Sequence, residues 1–557
     1  MPNKRQITTI LIGGQAGDGV KEAGINLGRL LIRAGQEVFI SADYQSLIKG
    51  GHIFSRVSFG QERIFNDYQA IDLLIALNQE SVFLHQKELK SDSLIISETP
   101  IKGQVDLPMT EMVKKNGAPN ICRTSIALGA VCYYFDLDLK ILEEIFQEIF
   151  QKKAEINIKL ARLGYQSLKD RNFQKRKIKS GKVIKKALLD GNEACARGLV
   201  KAGLDIYYAY PMTPATSILH FLAKNKERFG LKTVQPETEI AVINMALGSA
   251  YTGKRTALGT SGGGFDLMQE ALSLAGITET PLVVILSQRP GPSTGVPTYT
   301  TQSELQYARF AGHGEFPRII LGPGDQEEAC WLSALALNLA WKYQMSVFVL
   351  LDKHLSESLS TIDLEAKKTK IDYGKIAKTN QPYLRYQITA DGISPLAFPG
   401  TKNKVIKSMS YEHDEFGITT EDPKIVKSMQ EKRFRKLKSL VKEQARQETI
   451  KIYGDKKSQN IIVSWGSSKG AILEAMKYLK KPIKFILPLW LEPLDTKKIE
   501  KHLKIAKKII DIEANFTGQL ASLIREKTGI EIKDKILKYD SRPFEPMELA
   551  KKINKWL

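Results

Sequence analysis

Three polar segments follow three apolar runs and carry groups that bind anions. Tyr210–Pro214 comes directly after the apolar run Ile206–Ala209, and Thr260–Phe265 and Gln288–Gly295 each end a further run. In an open α/β sheet, ligands bind at the carboxyl ends of the strands. A Thr hydroxyl, an Arg guanidinium and bare glycine backbone at one edge would suit a carboxylate or a phosphate. The sequence therefore predicts a convergent site for a small anionic ligand.

Each of these segments also has a purely structural interpretation. Thr213 and Pro214 fit the cap and the first residue of a helix, so the turn could simply be a rigid corner. Glu239 opens an amphipathic stretch, where the helix dipole favours an acidic residue in the first turn. Spacing alone does not decide between the structural and the ligand-binding interpretations.

Two further glycine-rich segments give weaker signals. Gly13–Gly19 lies between an apolar run and a helical pattern, but its spacing is not GxGxxG and Asp18 would repel a phosphate. A structural turn is the favoured interpretation there. Gly248–Arg255 is close to a P-loop, yet Arg255 replaces the Ser or Thr that would bind Mg²⁺, and a helical stretch precedes it. We exclude it as a nucleotide site.

The composition is that of an ordinary globular protein. The chain has 557 residues, of which 43% are hydrophobic and 26% charged, so three or four domains are expected and collagen-like, coiled-coil and disordered classes are excluded. It has no run of about 18 apolar residues, so no membrane span is predicted. The apolar stretch near the N-terminus stops at Gly13 and is too short for a signal peptide, which favours a cytoplasmic location.

The cysteines and histidines do not form a local metal site. Cys122, Cys132, Cys195 and Cys330 include no CxxC spacing, and the seven histidines include no HxxxH pair. Neither a zinc site nor a four-cysteine iron–sulfur site is predicted from such spacing. We expect buried reduced thiols, with any metal or cluster supplied by another subunit.

Positive charge is concentrated in one segment. The net charge is +21, and residues 151–190 contain 13 Lys or Arg against Glu155, Asp170 and Asp190. Such a surplus attracts nucleic acid, an anionic cofactor or an acidic protein. A Lys-rich linker is the favoured interpretation, and no nucleic-acid-reading module accompanies the charge.

The alternation of apolar runs and helical patterns predicts an α/β protein. The first part indicates a doubly wound, parallel α/β domain. The predicted domains are residues 1–180, which end in the basic linker, 181–360, an extended connection over 361–455, and 456–557. Predicted strands include Val38–Ile40, Leu73–Ile75, Leu94–Ile96, Ile206–Ala209, Leu282–Leu286, Val347–Leu351, Ile461–Val463, Phe485–Leu487 and Ile509–Ile512.

Taken together and in order, the motifs resemble one family. Tyr210–Pro214, the Glu239 helix, Thr260–Phe265 and Gln288–Gly295 resemble the α subunit of the 2-oxoacid:ferredoxin oxidoreductases. The N-terminal motifs resemble that family's γ subunit, so the chain resembles the fused γ–α form. The motifs that carry the remaining resemblance are Gly13–Val20, Leu47–His52, Ala311–Pro317, Asp391–Pro395 and Asn515–Leu520.

The resemblance implies an activity, cofactors and partners. Enzymes of this family convert a 2-oxoacid, coenzyme A and oxidised ferredoxin into acyl-CoA, CO₂ and reduced ferredoxin. They use thiamine diphosphate with Mg²⁺ and a [4Fe–4S] cluster, and a separate β subunit holds the diphosphate, the metal and the cluster. The resemblance thus implies a heterodimer with β, with a thiamine-diphosphate pyrimidine-binding-like second domain and a transketolase C-terminal-like third domain.

The resemblance also implies roles for individual residues. Glu239 matches the glutamate that hydrogen-bonds the cofactor's aminopyrimidine, and Thr213 and Arg289 match residues that hold the 2-oxoacid. The substrate-binding set is Tyr210, Pro211, Thr213, Pro214 and Arg289, and Ser261 and Gly262 approach the cofactor. We expect 2-oxoglutarate to be preferred over pyruvate or branched 2-oxoacids. A non-catalytic binding protein that retains the fold, and a nucleotide- or nucleic-acid-binding α/β protein, are the alternatives.

Overall fold

The computed structural model describes residues 7–45, 51–179, 181, 186–364, 367, 369–378 and 383–557. Most of the γ-like motif Leu47–His52, namely residues 47–50, lies outside the described residues. The chain forms two compact units. Unit 1 comprises Met1–Leu189, Glu357–Asp363 and Glu545–Glu548, and unit 2 comprises Asp190–Ser356, Leu364–Phe544 and Leu549–Leu557.

Unit 1 is built on a sheet with helices packed against it. Its strands are β1 (Thr8–Gln15), β2 (Glu37–Asp43), β3 (His52–Gly60), β4 (Ile71–Ala76), β5 (Leu89–Ser97), β6 (Val105–Asp106), β7 (Ala187–Asp190) and β14 (Leu359–Ile362). Its helices are α1 (Val20–Arg33), α2 (Gln79–His85), α3 (Met109–Lys115), α4 (Arg123–Tyr134), α5 (Leu139–Phe150) and α6 (Ala154–Asp170).

The sheet of unit 1 is mixed rather than parallel. Its strand order is β6-β5-β4-β1-β3-β2-β14-β7. Strands β1, β4, β5 and β6 pair in parallel, as predicted, but β3 is antiparallel to both β1 and β2. The difference arises because β2 and β3 lie side by side and only eight residues separate them in the chain, fewer than the dozen or so that a crossover to a parallel strand needs.

The Gly13–Gly19 segment has the contacts of a structural turn. The Asp18 carboxylate accepts a hydrogen bond from the Gln15 amide at 2.9 Å and forms an ion pair with Arg123 at 2.6 Å. Gly17 and Gly19 have φ of 101° and 77°, a region that favours glycine. These contacts account for the presence of an acidic residue at position 18 without a bound phosphate.

The basic segment predicted as a linker contains α6, which packs tightly against α4. A Cβ on Gly129 would lie 1.9 Å from the Ala161 carbonyl oxygen, and one on Gly164 would lie 1.9 Å from that of Ile126. The two helices therefore require glycine where their backbones touch. Many basic side chains of the segment form ion pairs within unit 1, among them Arg162–Glu143, Lys175–Asp136, Arg176–Asp72, Lys177–Asp136 and Lys186–Glu37.

Unit 2 contains two further sheets. Its strands are β8 (Ile206–Tyr208), β9 (Lys232–Val234), β10 (Thr256–Thr260), β11 (Leu282–Gln288), β12 (Arg318–Leu321), β13 (Ser346–Asp352), β15 (Ile450–Gly454), β16 (Asn460–Val463), β17 (Lys484–Pro488), β18 (Trp490–Glu492), β19 (Lys508–Glu513) and β20 (Asp534–Leu537). The orders are β18-β12-β13-β11-β10-β8-β9 and β15-β17-β16-β19-β20. Both sheets are parallel except at the antiparallel edge strands β18 and β15.

The remaining helices complete the α/β architecture. They are α7 (Gly191–Lys201), α8 (Thr216–Lys224), α9 (Lys226–Phe229), α10 (Glu239–Tyr251), α11 (Gly262–Asp266), α12 (Gln269–Ile277), α13 (Leu305–Phe310), α14 (Gln326–Tyr343), α15 (Lys353–Glu357), α16 (Pro423–Gln444), α17 (Ser468–Met476), α18 (Thr496–Leu503), α19 (Gln519–Thr528) and α20 (Pro546–Trp556). The α/β class and its three sheets are confirmed; the residue ranges of the three domains stay a prediction. Among the described residues, none of the helices has the length and apolar character that a bilayer crossing needs.

The connection over 361–455 is held to the core of unit 2 by buried ion pairs. Lys432 and Lys436 of α16 lie 2.6 Å and 2.5 Å from the two carboxylate oxygens of Glu279, which is 2% exposed. Burial alone would raise the pKa of Glu279, but these ammonium groups and the Arg385 guanidinium hold it below its usual range. The predicted extended connection thus includes a long helix with a fixed position in unit 2.

We expect Asp422→Ala to destabilise the start of α16 by about 1 kcal/mol. The Asp422 carboxylate accepts hydrogen bonds from the amides of Lys424 (2.8 Å) and Ile425 (3.2 Å). Amide hydrogen exchange in this first turn should therefore accelerate about fivefold. The exposed neighbour Glu421→Ala serves as the control. Equal exchange in the two variants would contradict the capping role.

Candidate active site

The three polar segments identified in the sequence leave adjacent strands at the same edge of one sheet. Strand β10 pairs in parallel with β8 on one side and with β11 on the other. The carboxyl end of β8 leads into Tyr210–Pro214, that of β10 into Thr260–Phe265 and that of β11 into Gln288–Gly295. The structure therefore brings these segments together, and Glu239 joins them from the first turn of α10.

Arg289 links the end of β11 to the segment after β8. Its guanidinium donates a hydrogen bond to the carbonyl oxygen of Thr213 at 2.8 Å. Its Nε is buried and has no hydrogen-bond partner within the described part of the chain. Burial lowers the pKa of the guanidinium, and the nearby Glu304 carboxyl opposes this shift. Arg289 is thus anchored through one nitrogen and keeps a second donor for a ligand.

The segment that carries Thr213 is held by its carbonyl groups and not by a helix cap. In the structural interpretation of the sequence Thr213 would be the N-cap, but α8 begins at Thr216 and its N-cap residue is Ala215, so Thr213 does not cap this helix. Arg289 donates a hydrogen bond to the Thr213 carbonyl, and Asn192 donates one to the Pro214 carbonyl at 2.7 Å. These bonds fix the corner before the helix starts.

The other residues of the predicted substrate set lie on the same segment. Pro211 and Thr213 are half-buried, Pro214 is buried, and the peptide bond between Thr213 and Pro214 is cis. Tyr210 is 39% exposed, and the structure describes no hydrogen bond of its hydroxyl. The segment is therefore placed for ligand binding, while the roles of Tyr210 and of the Thr213 hydroxyl stay predictions.

Glu239 presents a buried carboxylate oxygen that has no partner among the described residues. The residue is 4% exposed, and Thr238 caps α10 by accepting from the Ala241 amide at 3.2 Å. A Cβ on Gly264 would lie 2.6 Å from Glu239 Oε1, which has no hydrogen-bond partner among the residues described. Leaving such a group unsatisfied costs about 1–3 kcal/mol, more when it is charged. Glu239 is therefore positioned to receive a hydrogen-bond donor from a ligand.

The glycine loop after β10 contributes a second buried polar group. Ser261 is fully buried, and its Oγ is likewise unpartnered in the described structure. A Cβ on Gly262 would lie 1.8 Å from Glu304 Oε1, so a larger residue there would displace the Glu304 carboxyl group. The predicted cofactor-binding residues Ser261 and Gly262 thus belong to a loop whose glycines approach the carboxyl groups of Glu304 and Glu239.

Sequence reasoning missed Glu304, which precedes α13. Its amide donates to the Gln288 side-chain oxygen at 2.9 Å, and its Oε2 is buried and unpartnered among the described residues. Burial raises the pKa of Glu304 to about 8, with a further contribution from Asp266 and opposition from Arg289. A glutamate before a helix ordinarily indicates only a favourable dipole interaction, so the sequence held no specific signal.

Segment 300–306, which carries Glu304, is held by the C-terminal part of unit 2. Gln302 donates to the Trp465 carbonyl at 2.8 Å and accepts from the Ala514 amide at 3.0 Å. Asn515 donates to the Gln302 carbonyl at 3.0 Å, and Gln519 donates to the Ser303 carbonyl at 2.7 Å. The motif Asn515–Leu520, whose purpose the sequence did not reveal, therefore positions the edge of the candidate site.

The described residues also bear on metal binding. All four cysteines are buried, and none of them forms a disulfide within the described residues, as expected from their spacing. Among the described residues, no group of three or more His, Cys, Asp or Glu side chains has the arrangement of a metal site.

Comparisons with known proteins cover almost the whole chain. Residues 197–431 match the family model "Pyruvate flavodoxin/ferredoxin oxidoreductase, thiamine diP-bdg", and residues 9–167 match "Pyruvate ferredoxin/flavodoxin oxidoreductase". The 2-oxoacid:ferredoxin oxidoreductase subunit alpha of Sulfolobus sp. is 33% identical, over 98% of this chain and 96% of that protein. The 2-oxoglutarate synthase subunit KorA of Methanocaldococcus jannaschii is 31% identical over 60% of this chain and 90% of its own length.

One solved structure is similar to this chain in both sequence and fold. The 2-oxoglutarate:ferredoxin oxidoreductase from Magnetococcus marinus, with 2-oxoglutarate, coenzyme A and succinyl-CoA bound, superposes with a TM-score of 0.91 at 30% identity. The match covers 99% of this chain and 100% of that one. The chain is therefore an oxidoreductase subunit, and it belongs to the 2-oxoacid:ferredoxin oxidoreductases as a subunit alpha.

Proposed function

We propose that this subunit binds the 2-oxoacid and the aminopyrimidine of thiamine diphosphate in a CoA-dependent enzyme. The reaction would be the oxidative decarboxylation of a 2-oxoacid to acyl-CoA and CO₂, with ferredoxin as the electron acceptor. The observation that carries the proposal is Glu239, a buried carboxylate whose Oε1 has no partner in the described residues although a glycine loop leaves space beside it. Such a group is suited to accept a hydrogen bond from a ligand.

The residues present fit thiamine diphosphate. The aminopyrimidine ring offers a donor that would satisfy Glu239 Oε1, and Gly264 keeps the approach to that oxygen open. When bound, the cofactor supplies a stabilised carbanion for decarboxylation. The contribution of Glu239 is to hold a proton shared with the ring, which a carboxyl group shielded from water does well.

We propose 2-oxoglutarate as the favoured substrate. This choice is supported by the 2-oxoglutarate bound in the Magnetococcus marinus relative and by the name of the archaeal relative, 2-oxoglutarate synthase. Arg289 would orient the substrate by donating charge-assisted hydrogen bonds to a carboxylate. The Thr213 segment, which Arg289 anchors, would shape the same pocket together with Tyr210, Pro211 and Pro214.

The complete enzyme would require a β subunit. We propose that β holds the diphosphate, Mg²⁺ and a [4Fe–4S] cluster, and that ferredoxin docks on the assembled enzyme. The test is co-expression with a neighbouring frame of about 300 residues that carries a Gly-Asp-Gly motif and four cluster cysteines. CoA-dependent viologen reduction is then measured across several 2-oxoacids. Absence of activity with every 2-oxoacid in a stable, iron-loaded complex would contradict the proposal, and faster turnover of pyruvate would contradict the substrate.

We expect the isolated chain to be colourless, with no iron and no firmly bound thiamine diphosphate. The cysteine spacing cannot hold a cluster, and the cofactor would contact this subunit only through its pyrimidine end. Iron determination and cofactor extraction on anaerobically purified protein check this. A brown preparation with stoichiometric iron from this chain alone would contradict it.

A further inference from the structure

Two buried polar atoms near the glycine loop have no hydrogen-bond partner among the described residues. They are Arg289 Nε and Glu304 Oε2. The two side chains are close enough for the charge of each to shift the pKa of the other. One ligand group could therefore satisfy both atoms at once.

We propose that Glu304, in its neutral form, donates a hydrogen bond to the 2-oxoacid carboxylate that Arg289 binds, and so is a further substrate-binding residue. This inference rests on the proposed function and names a residue that the motif comparison did not. A carboxylate has two oxygens and four acceptor positions, so it can accept from a guanidinium and from a carboxyl group together. An ionised Glu304 would instead repel the substrate.

The surroundings of Glu304 favour the neutral acid. Its neighbours are Asp266, whose charge disfavours ionisation, Arg289, whose charge favours it, and Tyr307. The Tyr307 hydroxyl donates to Asp266 and accepts from Gln269, so it is not available to neutralise Glu304. Burial dominates this balance, which places the pKa of Glu304 at about 8, above that of an ordinary glutamate.

The position of Glu304 is fixed before any substrate binds. Its amide is bonded to Gln288 on β11, and its Oε1 lies against the backbone of Gly262. The preceding residues Gln302 and Ser303 are bonded to the C-terminal part of unit 2. A residue whose backbone is held in this way loses less conformational freedom when its side chain binds a ligand, which suits a substrate contact.

The proposal predicts a specific pH dependence of substrate affinity. Below about pH 8 the free enzyme carries the neutral acid and binds the carboxylate, and the bound anion raises the pKa of Glu304 further. Above about pH 8 the acid ionises in the free enzyme, so KM should rise by up to about tenfold per pH unit. The kcat should change much less, because the loss concerns binding and not chemistry.

The test compares wild type with Glu304→Gln and Glu304→Leu in the assembled enzyme. The amide of Glu304→Gln is a donor at every pH, so this variant should keep a KM near that of wild type at pH 7 and lose the alkaline rise. Glu304→Leu should raise KM by about tenfold or more at pH 7, since it removes the donor. The exposed Glu270→Gln is the matched control and should behave as wild type.

Two unreactive analogues identify which substrate carboxylate is bound and give a readout independent of turnover. Oxamate carries only the carboxylate next to the carbonyl, and N-oxalylglycine also carries a distal one. An alkaline loss of affinity for both, measured by calorimetry, would assign Glu304 to the 1-carboxylate, and a loss for N-oxalylglycine alone would assign it to the distal one. Melting temperatures of the variants separate misfolding from weakened binding.

The inference is overturned if the alkaline rise in KM is equal in wild type and Glu304→Gln, or if wild type shows none. It is also overturned if the variants lower kcat and leave KM and the analogue affinities unchanged. In each case an enzyme that still oxidises 2-oxoacids would keep the proposed function intact. An enzyme that oxidises no 2-oxoacid would contradict the proposed function itself.

Discussion

Glu239→Ala is expected to lower turnover by about 10²–10⁴-fold, the usual range for removal of a proton-transfer group. The carboxylate is buried, and its Oε1 has no partner in the described structure, so its loss removes a ligand contact and breaks no hydrogen bond of Oε1. Assembly should stay intact, because Thr238 and not Glu239 caps α10. Single-turnover and steady-state rates of the assembled enzyme check this.

Glu237→Ala is the control for that measurement. Glu237 lies two residues earlier and is exposed, so its loss should leave turnover near wild type. Glu239→Gln should also be impaired, since an amide cannot share the proton as a carboxyl group does. Wild-type activity in Glu239→Ala would remove the residue from the mechanism and with it the observation that carries the proposed function.

Arg289→Ala is expected to lower kcat/KM by about ten- to a hundredfold, since charge-assisted hydrogen bonds contribute about 1.5–3 kcal/mol. The loss should be similar for all 2-oxoacids if Arg289 binds the shared 1-carboxylate. It should be much larger for 2-oxoglutarate than for pyruvate if Arg289 binds the distal carboxylate. Comparing the kcat/KM ratios of the two substrates in wild type and variant separates these cases.

Because Arg289 also donates a hydrogen bond to the Thr213 carbonyl, the melting temperature of the variant is measured as well. If Arg289 only braces this segment, the variant would melt at a lower temperature while its kcat/KM stayed within a few-fold of wild type. Arg289→Lys keeps the charge but cannot form the planar fork, so it should recover only part of the activity. A full recovery would show that charge alone is sufficient.

Much of the site architecture could be predicted from local patterns. The strands that lead to the site are apolar runs followed by Gly, Pro and Thr, and β8, β11 and β13 lie within a residue or two of their predicted bounds. Parallel strands then require that their carboxyl ends share one edge. The convergence of Thr213, Ser261 and Arg289 follows from this rule together with the order of strands β8, β10 and β11.

The features that sequence reasoning missed depend on distant parts of the chain. The antiparallel direction of β3 depends on which strands it pairs with, and a short apolar run is compatible with either a parallel or an antiparallel strand. The start of α8 at Thr216 is set by Arg289 and Asn192, which bond the carbonyls of Thr213 and Pro214. The raised pKa of Glu304 reflects burial that arises only when β11, the glycine loop and segment 300–306 come together.

The bonds that hold segment 300–306 have a consequence for how the enzyme is made. Asn515 bonds Gln302 across 213 positions of sequence, and Gln519 bonds Gln306 across the same separation. Contacts between such distant residues form late, because a long loop must be closed first. A nascent chain on the ribosome can therefore pair strands β8 to β13, one of which leads into Arg289, well before Asn515 emerges, and the edge strand β18 joins them later. The edge that carries Glu304 is finished only after translation has passed this motif, so a prematurely terminated chain would have an incomplete substrate pocket.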